Sequence, residues 1–279
     1  MLMTILILLF AFHNHMIDFT LRKYRQLLVS LQKQGYQFLT FEQYISTISS
    51  YSSHRLPKFV ILRHDVDLKA GNSLRTAQIE HELGIVASYY FRVVPESNQP
   101  NIIRAIADLG HEIGYHYEDM AIMNGNIDEA YVHFQEQLQY FRQYYPVRTI
   151  CMHGAPTSQW DGKDLWKKYN YRDLGIIGEP YFDVDFGNIF YLTDTGRCWD
   201  GYKVSVRDKI PVYQDQWNAK GWIYHKTLDI IRAAEHGSLP PCIMITTHPQ
   251  RWTDHPLHWL YELLVQSFKN IIKRLFYVK

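Results

Sequence analysis

The stretch KFVILRHDVD, at residues 58–67, decides the fold because a short β-branched, apolar run passes directly into charged side chains. Such a run is typical of a strand buried on both faces of a parallel sheet. Further apolar runs of this kind follow at 86–92, 112–116, 148–152, 174–177 and 242–247. Helical patterns lie between and after them, at 72–83, 101–109, 126–145, 161–169, 224–236 and 258–276. This alternation predicts βαβ units around a parallel sheet.

The number of units decides between two kinds of parallel sheet. About seven units in 279 residues fit a distorted, TIM-barrel-like (β/α) barrel that forms a single α/β domain. A doubly wound open sheet is the structural alternative. Thr20 and Asn126 are of residue types that cap helix N-termini, and Gly84 and Gly110 stand where helices are predicted to end.

The first twelve residues, MLMTILILLFAF, are apolar and uncharged. They are too few to span a bilayer, which takes about 20 residues, and they lack the basic start and small-residue cleavage site of a signal peptide. We therefore predict an apolar tail at 1–15 that need not belong to the fold, and one domain at 16–279. We expect no transmembrane helix and a cytoplasmic protein, with a weak anchor or export signal as the alternative.

The composition excludes two classes of protein. Lys and Arg total 29 against 28 Asp and Glu, a net charge of +1, and no basic run supplies the positive excess that nucleic-acid binding requires. Three widely separated cysteines exclude a disulfide scaffold and a CxxC zinc site. The 14 histidines are the unusual feature, so their positions need an explanation.

Histidines mark the ends of four predicted strands. They are His64, His116, His153 and His248, and the first is followed by Asp65 and Asp67. In a parallel barrel, functional side chains lie where strands end, so we expect these residues to converge on one mouth. Neutral imidazoles beside carboxylates suit Zn, and also Co, Ni or Mn. His111, at the start of its strand, is predicted to be structural.

Several roles stay open for these residues. One of Asp65 and Asp67 would bind a metal and the other act as general base, unless both serve a turn or a helix cap. His153 is a third ligand, a substrate donor or a loop residue. His248 is a general acid or a buried structural histidine.

Four neighbouring residues are candidate substrate contacts. Asp194 and Trp199 lie in a Gly-containing segment that would line a sugar site or form a plain surface loop. Tyr117 and Glu118 directly follow His116, and Glu118 would otherwise orient that histidine or be a solvated charge.

The order of the motifs resembles a known family. The segments are RHDVD, GIVASYYF, GHEIGYH, MHG, LTDTGRCW and ITTHPQRW, and the resemblance extends from about residue 18 to the C-terminus. The series resembles the polysaccharide deacetylase superfamily, or carbohydrate esterase family four, in its HDVD-type subgroup, whose members are often associated with bacterial surface polysaccharides. This resemblance implies a distorted (β/α) barrel, a divalent metal that is usually zinc, and hydrolysis of an N-acetyl group on a sugar.

Carried over to this chain, the resemblance makes Asp65 the base, Asp67 and His116 metal ligands, and His248 the general acid. The protein is therefore predicted to be a metal-dependent N-deacetylase that acts on a carbohydrate. A glycan-binding barrel without activity and a hydrolase of another C–N amide bond are the alternatives, and the oligomeric state stays open.

One departure from the family pattern concerns the metal. Met120 stands where the second histidine of the family's HxxxH motif belongs, and a thioether is a poor zinc ligand. His153 or His64 would have to supply the missing ligand.

Overall fold

The computed structural model describes residues 17–48, 57–199 and 204–276. The predicted tail at 1–15 and the boundary at residue 16 lie outside the described residues, so that division stays a prediction. None of the helices in the three described ranges is both long and apolar enough to cross a membrane.

A curled, all-parallel sheet forms the centre of the described structure. Its strands are β1 (Gln37–Leu39), β2 (Phe59–Val66), β3 (Ser88–Phe91), β4 (Glu112–Tyr117), β5 (Ile150–Met152), β6 (Phe190–Thr193) and β7 (Cys242–Thr247). The strand order is β5-β4-β3-β2-β7-β6, and β1 pairs with the first half of β2. Every residue of β2 is buried, as the apolar run predicts.

Helices flank this sheet on its outer side. They are α1 (Leu21–Lys33), α2 (Phe41–Ile48), α3 (Ala70–Glu82), α4 (Pro100–Asp108), α5 (Asp119–Ile122), α6 (Ile127–Phe141), α7 (Pro180–Asp183), α8 (Pro211–Ala219), α9 (Thr227–Glu235) and α10 (Pro256–Phe276). The predicted α/β fold, a distorted barrel built from βα units, is confirmed.

Local sequence signals set several helix ends. The Thr20 side chain accepts a hydrogen bond from the backbone N–H of Lys23, and the Asn126 side chain accepts from two N–H groups of α6. Gly84 and Gly110 follow α3 and α4 with φ of +68° and +90°, a left-handed conformation that favours glycine. The caps and helix ends predicted at these positions are confirmed.

Three predicted elements differ in the structure. The helix predicted at 161–169 is a short 3₁₀ helix, Gly162–Lys167, whose first residue is glycine and whose N-terminus is capped by Asp161. The strand predicted at 174–177 is reduced to one bridge between Thr149 and Gly178, since the turn at Gly175 and the start of α7 leave no length for more. The strand β6 occupies part of the segment that the sequence left as a possible loop.

A close contact explains one glycine of the GHEIGYH motif. A Cβ atom on Gly114 would lie 2.3 Å from the ring of Tyr90 on the adjacent strand. Glycine therefore lets the buried Tyr90 ring pack flat over β4, two residues before His116 emerges at the end of the same strand.

Candidate functional site

The carboxyl ends of the strands open into one cleft. Asp65 is the second-last residue of β2, and Asp67 directly follows the strand. Both line this cleft with His116, His153 and His248. The predicted convergence of strand-end residues therefore holds for three of the four histidines.

Asp67, His116 and His153 form a group with the geometry of a metal site. One ligand atom from each lies within 4.8 Å of the others. Asp67 Oδ1 is 3.5 Å from His116 Nε2 and 3.6 Å from His153 Nε2. These distances are long for hydrogen bonds and leave room for a cation between the three atoms.

Both imidazole rings are fixed through their other nitrogen. His116 Nδ1 donates to the carbonyl oxygen of Cys151 at 2.9 Å, because a carbonyl can only accept. His153 Nδ1 lies 2.7 Å from the Glu118 carboxylate, which Arg92 binds from its other side. The Nε2 lone pairs of both rings are therefore directed at Asp67, the arrangement usual for metal-binding histidines.

The hydrogen bonding and ionisation of the Asp67 carboxylate show whether these residues fit a metal. Its Oδ1 atom is buried and has no hydrogen-bond partner among the described residues. Burial raises the pKa of Asp67, but the surrounding imidazoles of His116, His153 and His248 outweigh burial and hold it well below its usual range. A buried, ionised oxygen facing two imidazole nitrogens fits a divalent cation such as zinc, which would take the place of the protons on those nitrogens.

A second group of possible ligands overlaps the first but is less suited. It consists of Asp65, His116 and Cys151. Burial raises the pKa of the Cys151 thiol well above its usual range, and the thiolate, not the thiol, binds metal. The described geometry therefore favours the group centred on Asp67.

Asp65 is held in a different way from Asp67. Arg63 donates to both of its oxygens, at 2.7 Å and 2.6 Å, and both side chains are buried. Asp65 Oδ2 lies 3.7 Å from His116 Nε2. Asp65 thus borders the candidate metal position while its orientation is fixed by a bidentate pair.

His248 enters the cleft from the strand next to β2. Its Nδ1 lies 2.6 Å from Asp194 Oδ1, and its Nε2 faces the cleft at 3.8 Å from Asp67 Oδ2. Asp194 also accepts from Arg251 and from Trp252 Nε1, both at 2.7 Å. Burial raises the pKa of Asp194, but the lowering effect of Arg251 and His248 is larger. The pKa therefore lies below its usual range, and this carboxylate stays ionised.

His64, the alternative third ligand, is not near the group centred on Asp67. It points to the opposite face of β2 from Asp65, is fully buried, and lies 2.8 Å from Glu80. This correction follows from strand alternation, which turns neighbouring residues to opposite faces. His111 is also buried near Glu80 and donates to the carbonyl of Ala77, so its predicted structural role is confirmed.

The four predicted substrate contacts need correction, because burial takes each away from direct contact with a ligand in the cleft. Asp194 and Glu118 orient His248 and His153, as described above. Tyr117 is fully buried and receives a hydrogen bond from Trp166 Nε1 at 2.9 Å. Trp199 is 3% exposed, packs in an aromatic cluster, and donates to Thr227.

Sequence reasoning missed three cleft residues. Asp208 is buried in the wall, where hydroxyl groups of Thr193, Thr195 and two tyrosines donate to it. Arg207 binds the carbonyls of Gly154 and Ala155 and so ties down the loop that begins with His153. Lys273 reaches the cleft from α10. Asp208 and Arg207 lie between regular elements, where no periodic pattern marks them.

Known proteins resemble the chain only at the level of structure. It is similar to a CE4 family pseudoenzyme from Bacillus anthracis, with 15% identity, a TM-score of 0.40, and coverage of 80% of this chain and 64% of that one. A mutant of that pseudoenzyme with restored enzymatic activity is similar at 16% identity and a TM-score of 0.41, over 80% and 66%. The chain thus spans just under two thirds of these neighbours, which come from the family that the motifs resemble. No family model matches the chain, and no curated protein matches it significantly.

Proposed function

We propose that the protein is a metal-dependent hydrolase that removes an N-acetyl group from a sugar of a bacterial surface polysaccharide or its precursor. The observation that carries the proposal is the unpartnered, buried Asp67 Oδ1 facing the Nε2 atoms of His116 and His153. The resemblance of the strand-end motifs supports the choice of an acetamide as the bond that is cleaved.

Asp67, His116 and His153 would hold the metal. A divalent metal there, zinc or else Co, Ni or Mn, would polarise the amide carbonyl and lower the pKa of the attacking water. The Cys151 carbonyl and the Glu118 carboxylate keep the two rings in place, so little reorganisation is needed when the ion binds.

Asp65 is the proposed general base. It lines the cleft beside the three ligands, and Arg63 fixes both of its oxygens. A carboxylate that is oriented in this way can accept a proton from water without a change of rotamer. Asp67, by contrast, has an oxygen free for a metal, which supports the division of roles between the two acids.

His248 is the proposed general acid. Asp194 accepts the Nδ1–H and leaves Nε2 directed into the cleft, where the departing amine would take its proton. Arg251 and Trp252 hold Asp194 in place, so a chain of buried contacts positions His248.

The decisive experiment measures metal and activity in the same samples. The purified chain should contain about one equivalent of metal by mass spectrometry and release acetate from a panel of N-acetylated oligosaccharides. His116→Ala should lose both, whereas the matched control His81→Ala, far from the cleft on α3, should keep both. Unchanged acetate release from His116→Ala would refute the proposal, as would a wild-type protein without metal after zinc is supplied.

Met120 favours a second candidate function, a barrel that binds glycans without cleaving them. Its side chain is buried and supplies none of the ligand atoms brought together at Asp67, although the family pattern places a histidine there. Glycan binding with stoichiometric metal but no acetate release would favour this candidate. Ammonia or amine release from other cyclic or linear amides would instead indicate a different C–N substrate.

A further inference from the structure

The long helix α10 packs on the molecule through polar contacts. Asn270 donates to the carbonyl of Gly196 at 2.8 Å, and Trp259 Nε1 donates to the carbonyl of Asp18 at 2.7 Å. Gln266 is buried, and Lys273 lines the cleft. The side of α10 that faces the protein is therefore rich in hydrogen-bonding and charged groups.

The opposite side of α10 is apolar and faces outward. Its large side chains are 47–70% exposed and form what we call the apolar stripe, Leu257, Leu260, Leu264, Phe268, Ile271 and Leu275. The spacings of three and four residues place all six on one helix face. At a rise of about 1.5 Å per residue, the stripe is about 27 Å long.

This orientation is the reverse of that of an ordinary surface helix, which buries its apolar face and exposes its polar face. A continuous apolar row of this length on the outside of a protein is typical of a surface that contacts another protein, a membrane or a ligand. The stripe is convex and linear, and it has no pocket for a small molecule among the described cavities.

The charges beside the stripe favour an anionic lipid surface as the partner. Lys269 and Arg274 are exposed next to Phe268 and Leu275, whereas the acidic residue of this helix, Glu262, is already paired with Lys69. Long basic side chains beside an apolar face allow both contact with acyl chains and attraction to anionic headgroups.

The sequence has a second apolar segment, shortly before a residue that contacts α10. Asp18 is bonded to Trp259 near the start of α10, and the twelve apolar residues MLMTILILLFAF lie only a few residues before it in the sequence. One weak apolar anchor gives marginal membrane binding, and two together give stable binding.

We propose that α10 lies in the plane of an anionic membrane surface, with the apolar stripe in the acyl boundary and Lys269 and Arg274 at the headgroups. The polar side of the helix then remains against the protein, and the cleft lies close to the bilayer. This inference is independent of whether the cleft hydrolyses an acetamide.

The test is flotation of the full chain with vesicles of phosphatidylcholine alone or with about 30% phosphatidylglycerol. We expect binding to the anionic vesicles, and a loss of at least about tenfold in Leu264→Glu/Phe268→Glu, because two large apolar side chains leave the interface. Lys269→Glu/Arg274→Glu should weaken binding to anionic vesicles more than to neutral ones. Val212→Glu, at an even more exposed apolar site on α8, is the control and should bind like wild type.

Two results would overturn the proposal. If the wild type binds neither kind of vesicle, or if Leu264→Glu/Phe268→Glu binds as well as wild type, the stripe is not a membrane contact. A dimer in light scattering that becomes a monomer in this variant, without vesicle binding by wild type, would assign the stripe to a second copy of the chain. Thermal unfolding of each variant checks that folding is retained.

Discussion

Two clusters in this protein each place two histidines around a carboxylate. They differ in whether that carboxylate has an oxygen without a hydrogen-bond partner. In the core, His64 and His111 lie at Glu80, with all three side chains fully buried. At the cleft, His116 and His153 lie at Asp67. Each cluster contains one carboxylate and two imidazoles, so composition alone does not distinguish a proposed metal site from a structural network.

The Glu80 carboxylate is saturated by donors. The hydroxyl groups of Tyr24 and Tyr89 and the ring of His64 bond to it, and Thr247 occupies the other nitrogen of His64. Asp67 keeps one buried oxygen, Oδ1, without a partner among the described residues, and its side chain lines the cleft, whereas Glu80 is fully buried in the core. An unpartnered oxygen and a position at the cleft, more than residue identity, therefore separate the two clusters.

The largest expected effect distinguishes His153 from His64, the two alternatives for the third proposed metal ligand. His153→Ala should lower metal affinity by at least about 1000-fold, which exceeds the roughly 10- to 100-fold typical of residues that only support ligands. His64→Ala should keep the metal and lose stability instead. Zinc titration with a competing chelator measures both variants, and equal metal loss in the two would contradict the comparison.

Breaking the core cluster should cost stability without affecting metal. Glu80→Ala leaves Tyr24, Tyr89 and His64 without their buried acceptor, so we expect the free energy of unfolding to fall by about 3 kcal/mol. Urea unfolding measures this loss. Glu82→Ala, an exposed position on the same helix, is the control and should change stability by less than about 1 kcal/mol. A small effect at Glu80 would show that the network is not structural.

The support of His153 should give a pH-dependent effect. Burial raises the pKa of Glu118, but His153 and Arg92 outweigh burial and lower it to about 2 from an ordinary 4.5. Because the folded protein favours the ionised form, the contribution to stability is complete above about pH 5 and disappears as the pH falls toward 2. In metal-free protein, Glu118→Gln should therefore be about 2 kcal/mol less stable than wild type at pH 7.

The measurement is the urea concentration at the midpoint of unfolding, for wild type and Glu118→Gln, from pH 7 down to pH 3. The difference between wild type and Glu118→Gln should shrink as the pH falls, whereas Glu136→Gln, exposed on α6, should match wild type throughout. A difference that stays constant with pH would mean that Glu118 acts by packing and not by charge.

The smallest effect tests how far hydrogen-bond saturation stabilises the core cluster. Tyr89→Phe removes one hydroxyl donor to Glu80 and should cost about 1.5 kcal/mol, since hydrogen bonds to charged groups are stronger than neutral ones. Tyr90→Phe removes a hydroxyl that faces the neutral Thr149 and should cost less. A larger loss for Tyr90→Phe in thermal unfolding would reverse this ranking.

The sequence predicted the sheet and most of the site because both depend on local patterns. Apolar β-branched runs mark β2, β4 and β7, and His116, His153 and His248 follow directly from the rule that parallel strands end at one mouth. The same rule misplaced His64, since a strand-end position does not say which face a side chain takes. The neighbour across the face decides, and for His64 that neighbour is Glu80, near the end of α3.

The sequence named Asp194 and Glu118 as candidates but could not show which residues they support, and it did not mark Asp208. These three residues act through hydrogen bonds to partners that are 54, 35 and 15 positions away, respectively, and tertiary folding alone brings the partners together. Trp199 was assigned to substrate from its residue type, although an indole that fills an aromatic cluster has the same composition as one that lines a sugar site.

The bond between His116 and the carbonyl of Cys151 has an evolutionary consequence. The ring of His116 is aligned by main chain, which every residue type at position 151 provides, whereas the ring of His153 depends on the Glu118 side chain. Substitutions at position 151 that keep the backbone in place would therefore leave His116 aligned, whereas a substitution at position 118 would release His153. A sequence changed only at position 118 would keep His116 aligned, so a single reversion there would restore the arrangement.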